Sequence, residues 1–202
     1  MTIRLYSYIV ARDYGFAPNP FCGVCTLATC KPLIRGKAQV GDWVIGTGSK
    51  ERGQEGRLVY AMRVSEALTF DQYWEDERFA CKRPQLQGSL KQGYGDNIYR
   101  HGSDGSWKQV SSHHSLEDGS LNPLNVETDT LRPRVLISDD FTYWGGSGPV
   151  IPSELRDFDG SQDICHDRSG HRSNYSAEHI EVFVDWFRSL DEDGCIGEPE
   201  RW

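Results

Sequence analysis

Long apolar runs are missing from this chain of 202 residues, of which only 37% are hydrophobic. No stretch approaches the roughly 20 apolar residues that a membrane-spanning helix needs, so no such helix is expected. The opening residues, Met-Thr-Ile-Arg-Leu-Tyr, lack the apolar segment of a signal peptide. We therefore predict a cytoplasmic location and no membrane partner.

Several catalytic motifs are missing as well. The glycine-rich residues 145–148 are not followed by the Gly-Lys-Ser/Thr of a phosphate-binding loop. No Gly-x-Ser-x-Gly elbow, His-Glu-x-x-His pair or dinucleotide fingerprint occurs. These absences argue against a P-loop kinase, a serine hydrolase, a metalloprotease and a dehydrogenase.

A second metal-binding pair is missing too, although six cysteines are present. Cys22 and Cys25 form a single Cys-x-x-Cys, and a structural zinc site needs four ligands. The others would have to come from Cys165, His166 or His171. We predict no bound metal and no cofactor, with thiols rather than disulfides in a cytoplasmic chain. Zinc at Cys22 and Cys25 stays open as the alternative.

An excess of positive charge is absent, since the net charge is −8. Residues 157–202 carry four basic and twelve acidic side chains, whereas residues 1–156 are balanced. The acidic excess therefore lies in the last quarter of the chain. Local basic segments at 31–63 and 78–108 could still contact phosphates.

Glycine, proline and aromatic residues are abundant, with 21 glycines and 9 prolines, which favours a β-rich fold with many turns. Strands are predicted at 2–10, 40–46, 57–66 and 134–138, and helices at about 24–30, 70–80 and 177–190. In the last helix Ile180, Phe183 and Phe187 recur at helical spacing, which indicates one buried face. The polar segment at about 85–131 is predicted to be an ordered insertion.

Two stretches near the start carry a resemblance. Phe21-Cys-Gly-Val-Cys-Thr26 opens a short helix, and Val40-Gly-Asp-Trp-Val-Ile-Gly46 opens a strand that ends in Thr47-Gly-Ser49. This order resembles the start of the small base-binding barrels of the PUA-like superfamily, with its EVE and ASCH branches. The whole sequence also resembles the family called nucleotide modification associated domain 2.

The resemblance implies an α+β fold, namely a PUA-like mixed β-barrel with short helices and a C-terminal amphipathic helix. Residues 1–156 would form the barrel domain with its insertion at about 85–131. Residues 157–202 would be an acidic tail whose helix, at about 177–190, packs on the barrel. The implied function is a binding module that recognises a modified or flipped base, associated with base modification of DNA or RNA or its sensing. Its partner would be DNA or RNA carrying a modified base, or a free nucleotide.

A base pocket needs aromatic faces for stacking and fixed polar groups at the edge of the base. The predicted pocket residues, which offer these two kinds of group, are Tyr6, Tyr8, Asn19, Phe21, Thr26, Thr47 and Ser49. The predicted phosphate contacts are the nearby cations Arg35, Lys37, Lys50 and Arg52.

Two alternatives to the binding module remain. The first is an enzyme acting on a base or nucleotide in the same pocket, for which Asp96, Tyr99, His113 and His114 are of the right types for proton transfer. No more than one of the two adjacent histidines is expected to act. The second alternative is a protein-interaction module whose acidic tail docks a basic protein partner or shields the basic segments.

Overall fold

The computed structural model describes residues 2–165 and 170–200 as a mixed α+β fold. His166, one of the predicted alternative metal ligands, lies outside the described residues. The strands are β1 Leu5–Val10, β2 Cys25–Leu27, β3 Trp43–Gly48, β4 Leu58–Arg63, β5 Glu66–Thr69, β6 Tyr99–His101, β7 Trp107–Gln109, β8 Arg134–Ser138, β9 Asp140–Gly145 and β10 Gly194–Glu198. The helices are α1 Pro32–Lys37, α2 Phe70–Glu75, α3 Leu90–Gly93, α4 Pro123–Thr130, α5 Ser153–Arg156 and α6 Ala177–Ser189, with 3-10 turns at Lys50–Arg52 and Glu77–Lys82.

The strands form separate sheets. One sheet has five strands in the order β1-β3-β4-β9-β10, a second has the order β2-β8-β5, and β6 pairs with β7. In the large sheet β1 runs parallel to β3 and β10 runs parallel to β9, while the central pairings are antiparallel. In the part of the chain that the structure describes, no sheet closes on itself. The predicted mixed β-barrel is therefore not found as a closed barrel, whereas the α+β class is confirmed.

The two larger sheets enclose the central core between them. Tyr6 and Tyr8 of β1 face Leu27 of β2 and Leu136 of β8, and all four side chains are buried. Alternate residues of a strand point to the same side, which is why both tyrosines enter this core together.

Helix α6 covers the other face of the large sheet. Phe183 and Phe187 pack edge-on against Trp43 of β3, with ring centroids 5.8 and 5.1 Å apart. Ser176 caps the helix by accepting a hydrogen bond from the backbone N–H of His179. The helix predicted at 177–190 and its buried face are confirmed. Strand β10 follows it and joins the same sheet, so the acidic segment contributes a strand to the fold.

The insertion forms a further layer against the three-stranded sheet. Phe70 of α2 and Tyr99 of β6 pack there with Val135 of β8. Thr69 begins α2 with a reciprocal capping box to Gln72, as its position before the helix suggests. This layer brings β6 and α4 close to the turn that precedes α1.

The helix predicted at 24–30 is wrong. Cys25–Leu27 forms strand β2 against β8, and the helix begins after this segment, at Pro32. β-branched Thr26 suits a strand, and a proline is favoured in the first turn of a helix because its missing N–H has no partner there anyway. Cys30 and Lys31 therefore lie in the turn between strand and helix.

Candidate functional site

A cavity of about 380 Å³ opens where the end of β1 meets this turn and the C-terminal half of α4. Its size falls within the roughly 300–1,000 Å³ that is usual for small-molecule sites. The side chains around it combine aromatic, cationic, thiol, imidazole and amide groups, and the lining residues are Tyr8, Ile9, Val10, Ala11, Arg12, Ala17, Cys30, Lys31, His114, Asn125, Thr128 and Asp129.

The turn at Cys30 and Lys31 has an uncommon backbone. Both residues are left-handed, with φ of 56° and 40°. A non-glycine residue in this region is strained by roughly 1–3 kcal/mol and is held there by its surroundings. The Cys30 N–H donates to Asp129 Oδ1 at 2.7 Å, and the Cys30 carbonyl accepts from Arg35 Nε at 2.8 Å. These two bonds fix the thiol at the edge of the cavity.

Cys30, His114 and Asp129 form a connected chain of side chains. Cys30 Sγ lies 3.8 Å from His114 Nε2, and His114 Nδ1 donates to Asp129 Oδ2 at 2.7 Å. Burial lowers the pKa of His114, but the hydrogen bonds to Asp129 and Cys30 outweigh it and raise the pKa to about 9. At neutral pH the imidazole is therefore protonated, with Nε2–H directed at the sulfur. The order thiol, imidazole, carboxylate is that of an activated nucleophile.

Asp129 is itself held on its other sides. The Tyr99 hydroxyl donates to Asp129 Oδ2 at 2.8 Å and accepts from Gln109 Nε2 at 3.1 Å. The same Gln109 amide donates to the carbonyl of His114 at 3.1 Å. Only 2% of the Asp129 side chain is exposed, compared with 15% for His114. The carboxylate therefore orients the imidazole from within the protein, and the imidazole faces the cavity.

Arg35 has a structural position. Its guanidinium is fully buried and donates to the carbonyl oxygens of Cys30, Asp129, Arg132 and Arg134. Because all three nitrogens are used inside the protein, the predicted phosphate contact at Arg35 gives way to a role in holding the turn. Of the other predicted phosphate contacts, Lys37 is exposed at the end of α1, and Lys50 and Arg52 lie in the 3-10 turn after β3.

Lys31 and Tyr8 supply a cation and an aromatic ring to the cavity. Lys31 Nζ lies 4.4 Å from the centroid of the Tyr8 ring, which is a cation–π contact. Burial lowers the pKa of Lys31. The Tyr60 hydroxyl donates to the Tyr8 hydroxyl oxygen at 2.9 Å, which fixes the position of the Tyr8 ring.

Most of the predicted base pocket lies elsewhere. Of the seven residues only Tyr8 lines the cavity. Tyr6 is buried in the core between the sheets, and Thr47 is buried with its hydroxyl 3.4 Å from the Tyr8 carbonyl oxygen. Ser49 borders a cavity of only about 10 Å³. Phe21 is half-buried, and the centroid of its ring lies 5.7 Å from Lys91 Nζ.

Asn19 and Thr26 belong instead to a second buried polar network, around Asp96. The Thr26 hydroxyl donates to Asp96 Oδ2 at 2.6 Å, and the Tyr73 hydroxyl donates to Oδ1 at 2.8 Å. Lys82 Nζ donates to the Asn19 carbonyl and side-chain oxygens at 2.9 and 2.8 Å. Burial raises the pKa of Asp96. Asp96, Lys82 and both hydroxyl groups are buried, so this network joins elements of the fold.

Of the four predicted proton-transfer residues, Tyr99 and His114 thus meet at Asp129, while Asp96 lies in the separate network. His113 packs against the rings of Tyr14, Phe16 and Tyr94 at centroid distances of 4.6, 5.5 and 5.3 Å. Only one of the adjacent histidines therefore borders the cavity.

Sequence reasoning did not select five residues of this site, namely Arg12, Cys30, Lys31, Asn125 and Asp129. Cys30 was placed at the C-terminal end of a predicted helix, although a cysteine directly before Lys-Pro also suits the start of one. No local sequence motif around Asp129 indicated that it belongs to this site. It meets Cys30 across 99 positions of the chain, a separation that no short pattern encodes.

The described residues contain neither a metal-binding cluster nor a membrane-spanning helix. Cys22 is exposed and Cys25 is buried. Within residues 2–165 and 170–200, no group of three or more His, Cys, Asp and Glu side chains is arranged to hold a metal ion. No helix in those ranges is long and apolar enough to cross a bilayer.

Comparison with known proteins places the chain in a family. The model of the family nucleotide modification associated domain 2 matches residues 2–202, so the chain belongs to that family. No curated protein and no solved structure matches the chain significantly.

Proposed function

We propose that this protein binds a nucleotide, or a base flipped out of a nucleic acid, in the 380 Å³ cavity beside Cys30, as part of nucleotide modification. The observation that carries the proposal is the convergence of Tyr8, Lys31, Arg12 and Asn125 on one opening. The family supplies the nucleotide context, and the cavity supplies the groups that a nucleotide needs.

Each group has a plausible partner on a nucleotide. The Lys31 ammonium and the Arg12 guanidinium, both at the cavity, suit a phosphate or a base carbonyl oxygen. The Asn125 amide donates through Nδ2 to the His114 carbonyl at 2.8 Å and is thereby oriented at the cavity wall. A side-chain amide can both donate to and accept from the edge of a base.

Binding can be measured by isothermal titration calorimetry with the four deoxynucleoside monophosphates and with short single-stranded oligonucleotides. We expect Lys31→Ala to weaken binding by about tenfold, which is about 1.4 kcal/mol, because the cation nearest to Tyr8 is removed. Lys50→Ala is the matched control, since Lys50 is exposed in the 3-10 turn after β3. It should bind as the wild type does.

The two outcomes separate two phosphate sites. If Lys50→Ala weakens binding and Lys31→Ala does not, the phosphate lies at the predicted basic segment and the cavity proposal fails. The proposal also fails if no nucleotide or oligonucleotide binds the folded protein.

A further inference from the structure

Cys30 differs from the other half-buried and buried cysteines in its surroundings. Cys25 belongs to the core between the sheets, and Cys165 packs against the core under α6. Cys30 lies instead at the cavity wall, with His114 Nε2 at 3.8 Å from its sulfur. Its backbone is held in the left-handed region by Asp129, which also orients the histidine. One carboxylate thus positions both the nucleophile and the proton carrier.

A bound nucleotide narrows the chemistry that such a thiol can perform. A sulfur nucleophile needs a soft electrophilic carbon. In an unmodified nucleotide that carbon is C6 of a pyrimidine, because the C5=C6 double bond is conjugated with the carbonyl or amidine group at C4. The carbons of the sugar and the phosphorus of the phosphate offer no comparable acceptor.

We propose that Cys30 adds covalently to C6 of a pyrimidine nucleotide held in this cavity, with His114 carrying the proton and Asp129 positioning His114. This inference rests on the proposed nucleotide site. It assigns a substrate class, pyrimidine nucleotides, and an activity, the activation of C5.

The step balances without any further reactant. In the reacting pair the proton of the Cys30 thiol already lies on His114 Nε2, which is protonated at neutral pH, and the sulfur forms a bond to C6. The electron pair of the C5=C6 bond moves to C5 and into the group at C4, where the Lys31 ammonium can stabilise negative charge on an oxygen. His114 then gives its proton to C5, which leaves a 5,6-dihydropyrimidine thioether. When His114 then removes the hydrogen that C5 originally carried, the C6–S bond breaks, the pyrimidine is restored, and C5 keeps a hydrogen from solvent.

Exchange of that hydrogen is the test. The full chain is incubated in D₂O with dCMP, dUMP or UMP, and separately with a single-stranded oligonucleotide that contains one deoxyuridine. The loss of the H5 signal is followed by NMR. We expect exchange at least tenfold above the protein-free rate with a free nucleotide or with the oligonucleotide, and the reacting arm identifies the form in which the pyrimidine is bound.

Matched variants separate the mechanism from general thiol reactivity. Cys30→Ser and His114→Gln should reduce exchange to the protein-free rate, with folding verified by circular dichroism and binding by calorimetry. Cys81→Ser and Cys195→Ser remove exposed thiols and should leave the rate unchanged. 5-Fluoro-dUMP, whose fluorine makes C6 more electrophilic, should form an adduct that intact-mass and peptide mapping place on Cys30.

The role of Asp129 as a positioning residue has a separate readout. Since its hydrogen bond raises the pKa of His114 to about 9, the limb of the pH–rate profile that belongs to His114 should move to lower pH in Asp129→Asn. An unchanged profile would refute that role.

The covalent step and the proposed site fail in different ways. If calorimetry detects a pyrimidine nucleotide in the cavity but H5 does not exchange and no adduct forms, the covalent inference is wrong and the binding site stands. If nothing binds, both are wrong. An adduct on a cysteine other than Cys30 would also overturn the inference.

Discussion

Two buried aspartates each lie at the centre of a polar network in this protein. The two networks contain similar side chains, but only one of them reaches a cavity. Asp96 accepts from Thr26 and Tyr73, and Asp129 accepts from Tyr99 and His114. Around Asp96 the partners are themselves enclosed in the fold. Around Asp129 the histidine and the neighbouring cysteine reach a cavity. Burial of the carboxylate is therefore common to both networks, and the two differ in whether a partner of the carboxylate reaches a cavity.

The largest effect should come from the enclosed network. Lys82→Ala removes the donor to three oxygens, two on Asn19 and one on Val24. Each buried acceptor left without a donor destabilises the protein by about 1–3 kcal/mol, so we expect a loss of at least about 3 kcal/mol in the free energy of unfolding. Lys31→Ala, at the open network, should lose less than about 1 kcal/mol because it removes a single cation–π contact. Urea denaturation measures both. Equal losses would erase the distinction between the two networks.

The next effect depends on pH. The folded pKa of His114 is raised to about 9 from an ordinary value of 6.5, so its contribution to stability is full below pH 6.5 and is lost as the pH rises through 9. Linkage gives a change of about 3 kcal/mol. The titratable groups that face the ring are Asp129, Cys30 and His113, whose ring centroid lies 5.9 Å away.

The comparison of wild type with His114→Gln in urea between pH 6 and 10 checks this window. The stability difference should shrink towards the alkaline end. Asp96 also has a raised pKa, so its contribution to stability is full below its ordinary value of 3.8 and is lost as the pH rises above that value. A pH dependence of His114→Gln confined to acid would contradict the assigned hydrogen bonds.

A matched pair of tyrosines should give a smaller effect. Tyr73→Phe removes a 2.8 Å bond to Asp96, and Tyr99→Phe removes a 2.8 Å bond to Asp129. Asp129 keeps bonds from Cys30 and His114, so we expect about 1 kcal/mol for Tyr99→Phe and about 2–3 kcal/mol for Tyr73→Phe.

The same pair can be compared in reactivity. Only Tyr99→Phe should alter the rate of Cys30 alkylation by iodoacetamide, followed by peptide mass spectrometry. If Tyr73→Phe changes that rate equally, the two networks are coupled and the comparison fails.

The smallest effect is expected at the surface. Arg78 forms ion pairs with Glu66 at 3.0 Å and Asp76 at 2.7 Å, but its side chain is 58% exposed. Because solvent and salt screen such pairs, Arg78→Ala should leave the urea midpoint unchanged within error. A loss as large as that of Tyr73→Phe would mean that burial is not what separates strong from weak contacts here.

Much of the regular structure could be predicted from local pattern. The strand predicted at 134–138 coincides with β8, and α6 lies within one residue of its prediction because its apolar residues repeat at helical spacing. The strands β1, β3 and β4 were found with shifted ends. Local pattern does not predict which strands pair with one another, and the structure has separate sheets where a barrel was expected.

The site was accessible only in part. His114 and Tyr99 were selected because their side chains can transfer protons, and Tyr8 because it is aromatic. The contacts of Cys30 with His114 and with Asp129 span 84 and 99 positions of the sequence. Asp96 and Asp129 have the same side chain, and only the fold decides which one stands behind a histidine. Residue type therefore narrowed the candidates without choosing among them.

The left-handed turn at Cys30 and Lys31 also bears on evolutionary drift. Glycine adopts this backbone without strain, so replacing either residue with glycine would relax the turn. Under the proposed thiol chemistry, a lineage that no longer needed Cys30 would have a mutational path along which folding becomes easier as the activity is lost. Relatives with glycine at these two positions would be the ones to examine for lost activity and retained fold.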